Sequence, residues 1–138
     1  MRLWHHDIIK LLPKSQLLAQ WRELNSIFAK EDRHILINYI YDYPKEHLYA
    51  YTQLVLDEMK KRGFTIRTFD KMNRYFEGID KNQEIDKPFA EHHNDEYFEI
   101  CYFNLKEKYL RDQKDFDQSM FHALDQHYKS VQSPKDMI

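Results

Sequence analysis

Glycine is nearly missing from this chain. Its 138 residues include Gly63, Gly78 and no other glycine, about a fifth of the ~7% average usage. Phosphate-cradling loops need two or three glycines within a few residues, because bare backbone must approach the phosphate. P-loop and dinucleotide-binding functions are therefore excluded. Proline is also sparse, at four residues, and a turn-rich sandwich or barrel would use more of both. The one cysteine, Cys101, rules out an internal disulfide and any multi-cysteine zinc site and points to a reducing, cytoplasmic setting. No apolar run approaches the ~18 residues needed to span a bilayer, so no membrane partner is expected. The opening MRLWHHDIIKLL places two histidines and an aspartate within its first seven residues and lacks a small-residue cleavage site. It does not read as a signal peptide.

What is abundant is aromatic. Ten Tyr, nine Phe and two Trp make up 15% of the chain, beside 42% apolar and 32% charged residues. That balance excludes a disordered tail, and the length favours a single domain able to bury a real core. The expected fold is all-α: one compact helical domain over 1–138, with an N-terminal arm packed against the first long helix. The net charge of −2 is unevenly spread. Residues 1–74 carry 13 Lys/Arg against 9 Asp/Glu, or +4, whereas residues 75–138 carry 8 against 14, or −6. A mildly basic face for a polyanion, with the acidic half turned away, is one reading; ordinary solvated surface is the other.

Periodicity places the helices. From about Pro13 to Lys30, residues Leu17, Trp21, Leu24 and Phe28 form one apolar stripe, and Pro13 suits a first helical turn. The segment His34–Tyr41 is rich in Ile and Tyr and is read as a short helix. Pro44 opens a further helix in which Leu48, Thr52, Val55 and Met59 share a face. Lys60, Lys61 and Arg62 complement the dipole at its carboxyl end, and Gly63 supplies the C′ position. A short helix is expected at about Thr68–Phe76, then a polar loop, GIDKNQEIDKP. Two C-terminal helices, within about 89–131, are marked by Phe98, Cys101, Leu105 and Tyr109 and by Phe116, Met120, Leu124 and Val131. The tail SPKDMI is expected to fray.

On the first helix, Gln16, Ala19, Glu23, Ser26 and Lys30 lie on one line beside the stripe. Two of the five are small, so other backbone can approach this seam closely, with Glu23 at its middle. Glu23 belongs to a WREL tetrapeptide, Trp21–Leu24, set about twenty residues behind an N-terminus reading Met1, Arg2, Leu3. With Leu17, Ala19, Phe28, the Tyr41–Asp42 pair and KRGFTI at 61–66, this opening resembles the pyrimidine-dimer DNA glycosylases of the phage endonuclease V type. The likeness covers roughly the first half of the chain, with a later L-x-E-K echo at Leu105–Lys108.

The resemblance implies a DNA repair enzyme, both glycosylase and AP lyase (a hydrolase and endonuclease in effect), acting on damaged double-stranded DNA without cofactor, metal or obligatory protein partner. Its nucleophile would be the α-amine of the chain, here that of Met1, since the bulk of Arg2 normally blocks removal of the initiator. Glu23 would be the essential carboxylate, and Arg2, Gln16 and Arg22 the DNA contacts. Gln16 stands where the family has a histidine, and Ser26 where it has a second arginine. The chemistry is physically coherent. An α-amine titrates near ~8, against ~10.4 for lysine, so a useful fraction is nucleophilic at neutral pH. It can attack the sugar C1′ and form an imine, while the carboxylate stabilises the oxocarbenium charge and then takes the C2′ proton. Because that sugar lies inside a duplex, the enzyme is expected to kink DNA and displace a nucleotide. Lys10, Lys14, Lys30, Arg33 and His34 could extend the basic footprint, and Trp4 is read as an anchor for the arm.

Two other readings use the same residues. One is a helical DNA-binding or protein-interaction module without catalysis. The other is a metal-dependent helical enzyme, suggested by His5, His6 and Asp7 and by Glu91, His92, His93 and Asp95. Facing-helix di-metal sites are built on two Glu-x-x-His pairs, and the sequence contains one, Glu31–His34, and no second. These histidines are expected at the polar surface.

Overall fold

A computed structural model of the chain describes residues 2–136, with side chains through Val131. Five α-helices and no strand occur among the described residues: α1 (Lys14–Lys30), α2 (Lys45–Lys61), α3 (Asp70–Tyr75), α4 (Asp95–Leu110) and α5 (Gln118–Asp136). The all-α expectation holds. Helix α1 packs on α2 and α3, and α4 packs on α5. The segment before α1 carries Leu3, Trp4, Ile8, Ile9 and Leu12, all buried in the core. It is therefore an internal arm between the two groups of helices and not a loose terminus.

The long helices form where the apolar spacing places them. Leu17, Leu24 and Phe28 of α1 are buried, as are Leu48, Thr52, Val55 and Met59 of α2. Proline precedes both helices as the N-cap, at Pro13 and Pro44. Pro13 provides no side-chain acceptor, and a distant residue does so instead: the Ser15 backbone N–H donates to Asp115 Oδ2 at 2.6 Å. In α4, the Asn94 side chain accepts the Tyr97 N–H, a regular N-cap. The end of α2 is a Schellman arrangement, with Gly63 N–H donating to the Lys60 carbonyl and Phe64 N–H to that of Met59.

Three expectations need correction. Residues 34–41 do not form an α-helix; a hydrogen-bonded turn leads into a 3₁₀ segment, Asn38–Asp42. The Asn38 side chain accepts the His34 N–H and the His34 ring accepts the Leu36 N–H, so local side chains take donors that a helix would have used. The tail SPKDMI, expected to fray, stays helical through Asp136; Met137 and Ile138 lie outside the described residues. The histidines near the arm are not at the surface: His5, His6 and His93 are buried.

Gly63 has φ +83° with no heavy atom within 4 Å of an added Cβ, so its requirement is conformational and not steric. Gly63→Ala is expected to lower stability by about 1 kcal/mol, about 4 °C in Tm for a domain of this size. Thermal unfolding followed by circular dichroism measures this.

Candidate active site

The arm is held against α1 by one side chain. Gln20 is 1% exposed, and its Oε1 accepts the Trp4 N–H at 2.8 Å. Its Nε2 donates to the Arg2 carbonyl and to Glu23 Oε2, both at 3.1 Å. The Tyr51 hydroxyl, from α2, donates to the Trp4 carbonyl at 2.6 Å and lies 2.9 Å from Gln20 Oε1. From α4, the Tyr97 hydroxyl donates to the Leu3 carbonyl at 2.5 Å. The carbonyls of Arg2, Leu3 and Trp4 and the Trp4 N–H thus find partners on three different helices. Gln20 sits three residues before Glu23, one helical turn, and that spacing lets one amide hold both arm and carboxylate. Sequence reasoning passed over Gln20, Tyr51 and Tyr97; the first was visible only as a polar residue beside the apolar stripe.

Glu23 is half-buried. Burial raises its carboxyl above the usual glutamate value, while the positive chain terminus, the Arg2 backbone N–H, Arg22 and Gln20 oppose the shift. It opens into a groove of about 270 Å³ that Arg2, Gln16, Leu36 and Lys108 also line. The structure brings together Arg2, Gln16 and Glu23. It does not bring Arg22 there: this residue is exposed on a neighbouring groove with Asn25, Lys30 and Lys71. One Gln16 N–H is already engaged, donating to Gln113 Oε1 at 3.0 Å. The Arg2 guanidinium lies 5.8 Å from the Tyr97 ring centre, at cation–π range. Met1 lies outside the described residues. A larger cleft of about 540 Å³ between α2 and α3, around Leu56, Phe64 and Phe69, shares no lining residue with this groove.

Beneath the arm lies the histidine cluster. His93 Nδ1 accepts the His6 N–H at 3.2 Å, and its Nε2 is 2.6 Å from the Tyr39 hydroxyl. With one nitrogen accepting, the other must carry the single ring proton, so His93 is neutral. Burial depresses its pKa to about 2. His5 Nδ1 likewise accepts the Asp7 N–H, and burial brings that ring to about 4. The ligand-type atoms of His5, His6 and Asp7 lie within 4.8 Å of one another. The His5 lone pair is spent on backbone, however, and His6 Nδ1 is paired with Asp7 Oδ1 at 3.0 Å. The donor set is engaged in packing the arm.

A family model described as pyrimidine dimer DNA glycosylase matches residues 1–72, just over half of the chain. The chain belongs to this family. The matched region of this glycosylase contains the arm, α1 and α2, hence Arg2, Gln16, Gln20, Arg22, Glu23 and Tyr51; Tyr97, His93 and Lys108 fall beyond it. Searches of curated proteins and of solved structures return no match. Family membership makes the protein a DNA repair glycosylase and DNA its substrate. No helix among the described residues is long and apolar enough to cross a membrane.

The neutral histidines give the glycosylase a defined acid sensitivity. His5 and His93 bind protons near pH 6.5 when unfolded, but only near 4 and 2 when folded. Their contribution is complete above pH 6.5 and is lost as pH falls below it, by up to about 1.4 kcal/mol per pH unit for each ring. Glu23, with a raised pKa, acts oppositely but is one group against two. Tm should therefore drop clearly between pH 7 and pH 5, and His93→Gln should flatten that dependence. A Tm independent of pH over this range would contradict the assignment.

Proposed function

We propose that this glycosylase also cleaves the strand as an AP lyase, through an imine between the α-amine of Met1 and the damaged nucleotide. The observation that carries the reading is the tether between Arg2 and Glu23. Gln20 bridges the Arg2 carbonyl to the Glu23 carboxylate, and the Arg2 backbone N–H turns toward the same carboxylate. An amine on the preceding residue is three covalent bonds from that nitrogen, so an arm held there would limit how far the amine can stray from the carboxylate. An amine on a frayed terminus would lose this benefit of orientation.

The roles follow from position. The unprotonated amine of Met1 attacks C1′ as the C1′–N bond to the base breaks, and the departing base carries away the bond's electron pair. Glu23 faces the positive charge that develops on the sugar and stabilises it. The C1′–O4′ bond then opens, its electron pair and a proton from the attached nitrogen passing to O4′, and the protonated imine forms; Glu23 next takes the C2′ proton and the C3′–O bond breaks, releasing the 3′ strand by β-elimination. A carboxyl raised by burial is a better base for this step than an exposed glutamate. Arg2 and Lys108 line the groove and supply cationic contacts for the flanking phosphates, with Gln16 as an uncharged hydrogen-bonding partner. Arg22 lies on the adjacent groove and serves phosphates further along the duplex. Damaged pyrimidines, dimers in particular, are the proposed lesions, and the cytoplasm the proposed setting.

Borohydride reduction of untagged protein with abasic-site DNA tests this directly. The expected result is a covalent adduct mapping to Met1, unaffected by chelator; a gel shift without an adduct would indicate binding alone. Glu23→Gln should reduce strand cleavage by at least about 100-fold while leaving DNA affinity and fold largely intact. Active protein beginning at Arg2, or blocked at its amine, would overturn the assignment of the nucleophile.

A further inference from the structure

Ile35 is 86% exposed and Leu36 36% exposed, at the tip of the turn that replaced the expected helix. The turn is rigidly made. The His34 carbonyl accepts the N–H groups of Ile37 and Asn38 at 2.9 and 2.8 Å, the Asn38 side chain accepts the His34 N–H at 2.7 Å, and the His34 ring accepts the Leu36 N–H at 3.1 Å. Ile37 is fully buried and roots the turn in the core. Leu36 lines the same groove as Arg2, Glu23 and Lys108. Two apolar side chains thus project from a stiff support at the lip of the groove that holds the candidate carboxylate.

We propose that Ile35 and Leu36 form a wedge that enters the base stack beside the lesion and holds the duplex open while the sugar reaches Glu23. This rests on the reading of the Glu23 groove as the place where DNA is processed, and it names the device that gives access. Three observations favour a base step over an apolar partner protein. The tip is two side chains wide, far below the roughly 800 Å² per partner of a stable protein interface, but suited to one base step. It is flanked by Arg33, and Leu36 shares its groove with Arg2 and Lys108, a cationic frame suited to phosphates. The N–H groups of His34, Leu36, Ile37 and Asn38 are bonded within the turn, so insertion would not require the support to refold. Proteins that kink DNA commonly insert such apolar wedges, partly unstacking a step.

The test uses the full-length protein with both residues changed, Ile35→Ser and Leu36→Ser; because both are exposed, the fold should be retained, as circular dichroism checks. One readout needs no chemistry: 2-aminopurine placed beside an abasic site in a duplex brightens when it unstacks. The wild-type protein should raise this fluorescence on binding, and the variant, at saturating protein, should not. The second readout is borohydride trapping, where the variant should lose about tenfold on duplex abasic DNA and nothing on the same abasic oligonucleotide as a single strand, which needs no opening. A wild-type protein that brightens the probe but traps neither substrate would refute the imine chemistry and leave the wedge supported. A variant that brightens the probe and traps duplex DNA as the wild type does, or that changes only self-association on gel filtration, would overturn the wedge.

Discussion

A single buried carboxamide joins the arm to α1. Burying a polar side chain without partners is costly, and Gln20, 1% exposed, is compensated by bonds to Trp4, Arg2, Glu23 and Tyr51. An apolar residue at that position would pack, but it would leave the Arg2 carbonyl and Trp4 N–H unsatisfied. Each such loss costs about 1–3 kcal/mol. The polar choice therefore fixes geometry that an apolar core could not: it ties the Arg2 backbone to the carboxylate of Glu23. The proposed chemistry depends on that tie.

The underside of the arm is fixed by a second set of contacts, built from histidine and tyrosine. His93 accepts the His6 N–H, the Tyr39 hydroxyl meets the other nitrogen of the same ring, and Tyr97 caps the Leu3 carbonyl. Tyr39 comes from the 3₁₀ segment before α2, His93 from the turn before α4 and Tyr97 from α4, so residues beyond the family match pack against the arm inside it. Burial keeps His5 and His93 neutral, which lets ring nitrogens serve as backbone acceptors. The aromatic richness of the chain has its explanation here. Tyrosine fills a core and still reaches backbone with a hydroxyl, as Tyr51 and Tyr97 both do.

Local physics made much of this legible. The apolar stripes of α1 and α2, the prolines before them and Gly63 after α2 all act within a few residues, and the helices form where those signals lie. Glu23 and Arg2 could be paired because the WREL sequence and the N-terminal residues bear a family likeness. What escaped was non-local. His6 and His93 are 87 positions apart, and nothing near either announces that the other will satisfy it, so both read as surface. Residues 34–41 have an apolar pattern compatible with a helix, yet Asn38 and His34 bond the backbone from the side. Arg22 and Glu23 are neighbours in sequence, but a step of one residue on a helix turns about 100° and sends them into different grooves.

Amide hydrogen exchange at Trp4, read by NMR at neutral pH, probes the central constraint most directly. Its N–H is the donor to Gln20 Oε1, lies three residues from the end of the chain, and belongs to no regular helix. If the Gln20 clamp holds the arm in place, this amide exchanges slowly, with protection close to that of the α1 core. Exchange as fast as in an unstructured peptide would mean that the arm is free, and the proposed pairing of the chain's amine with Glu23 would lose its physical basis.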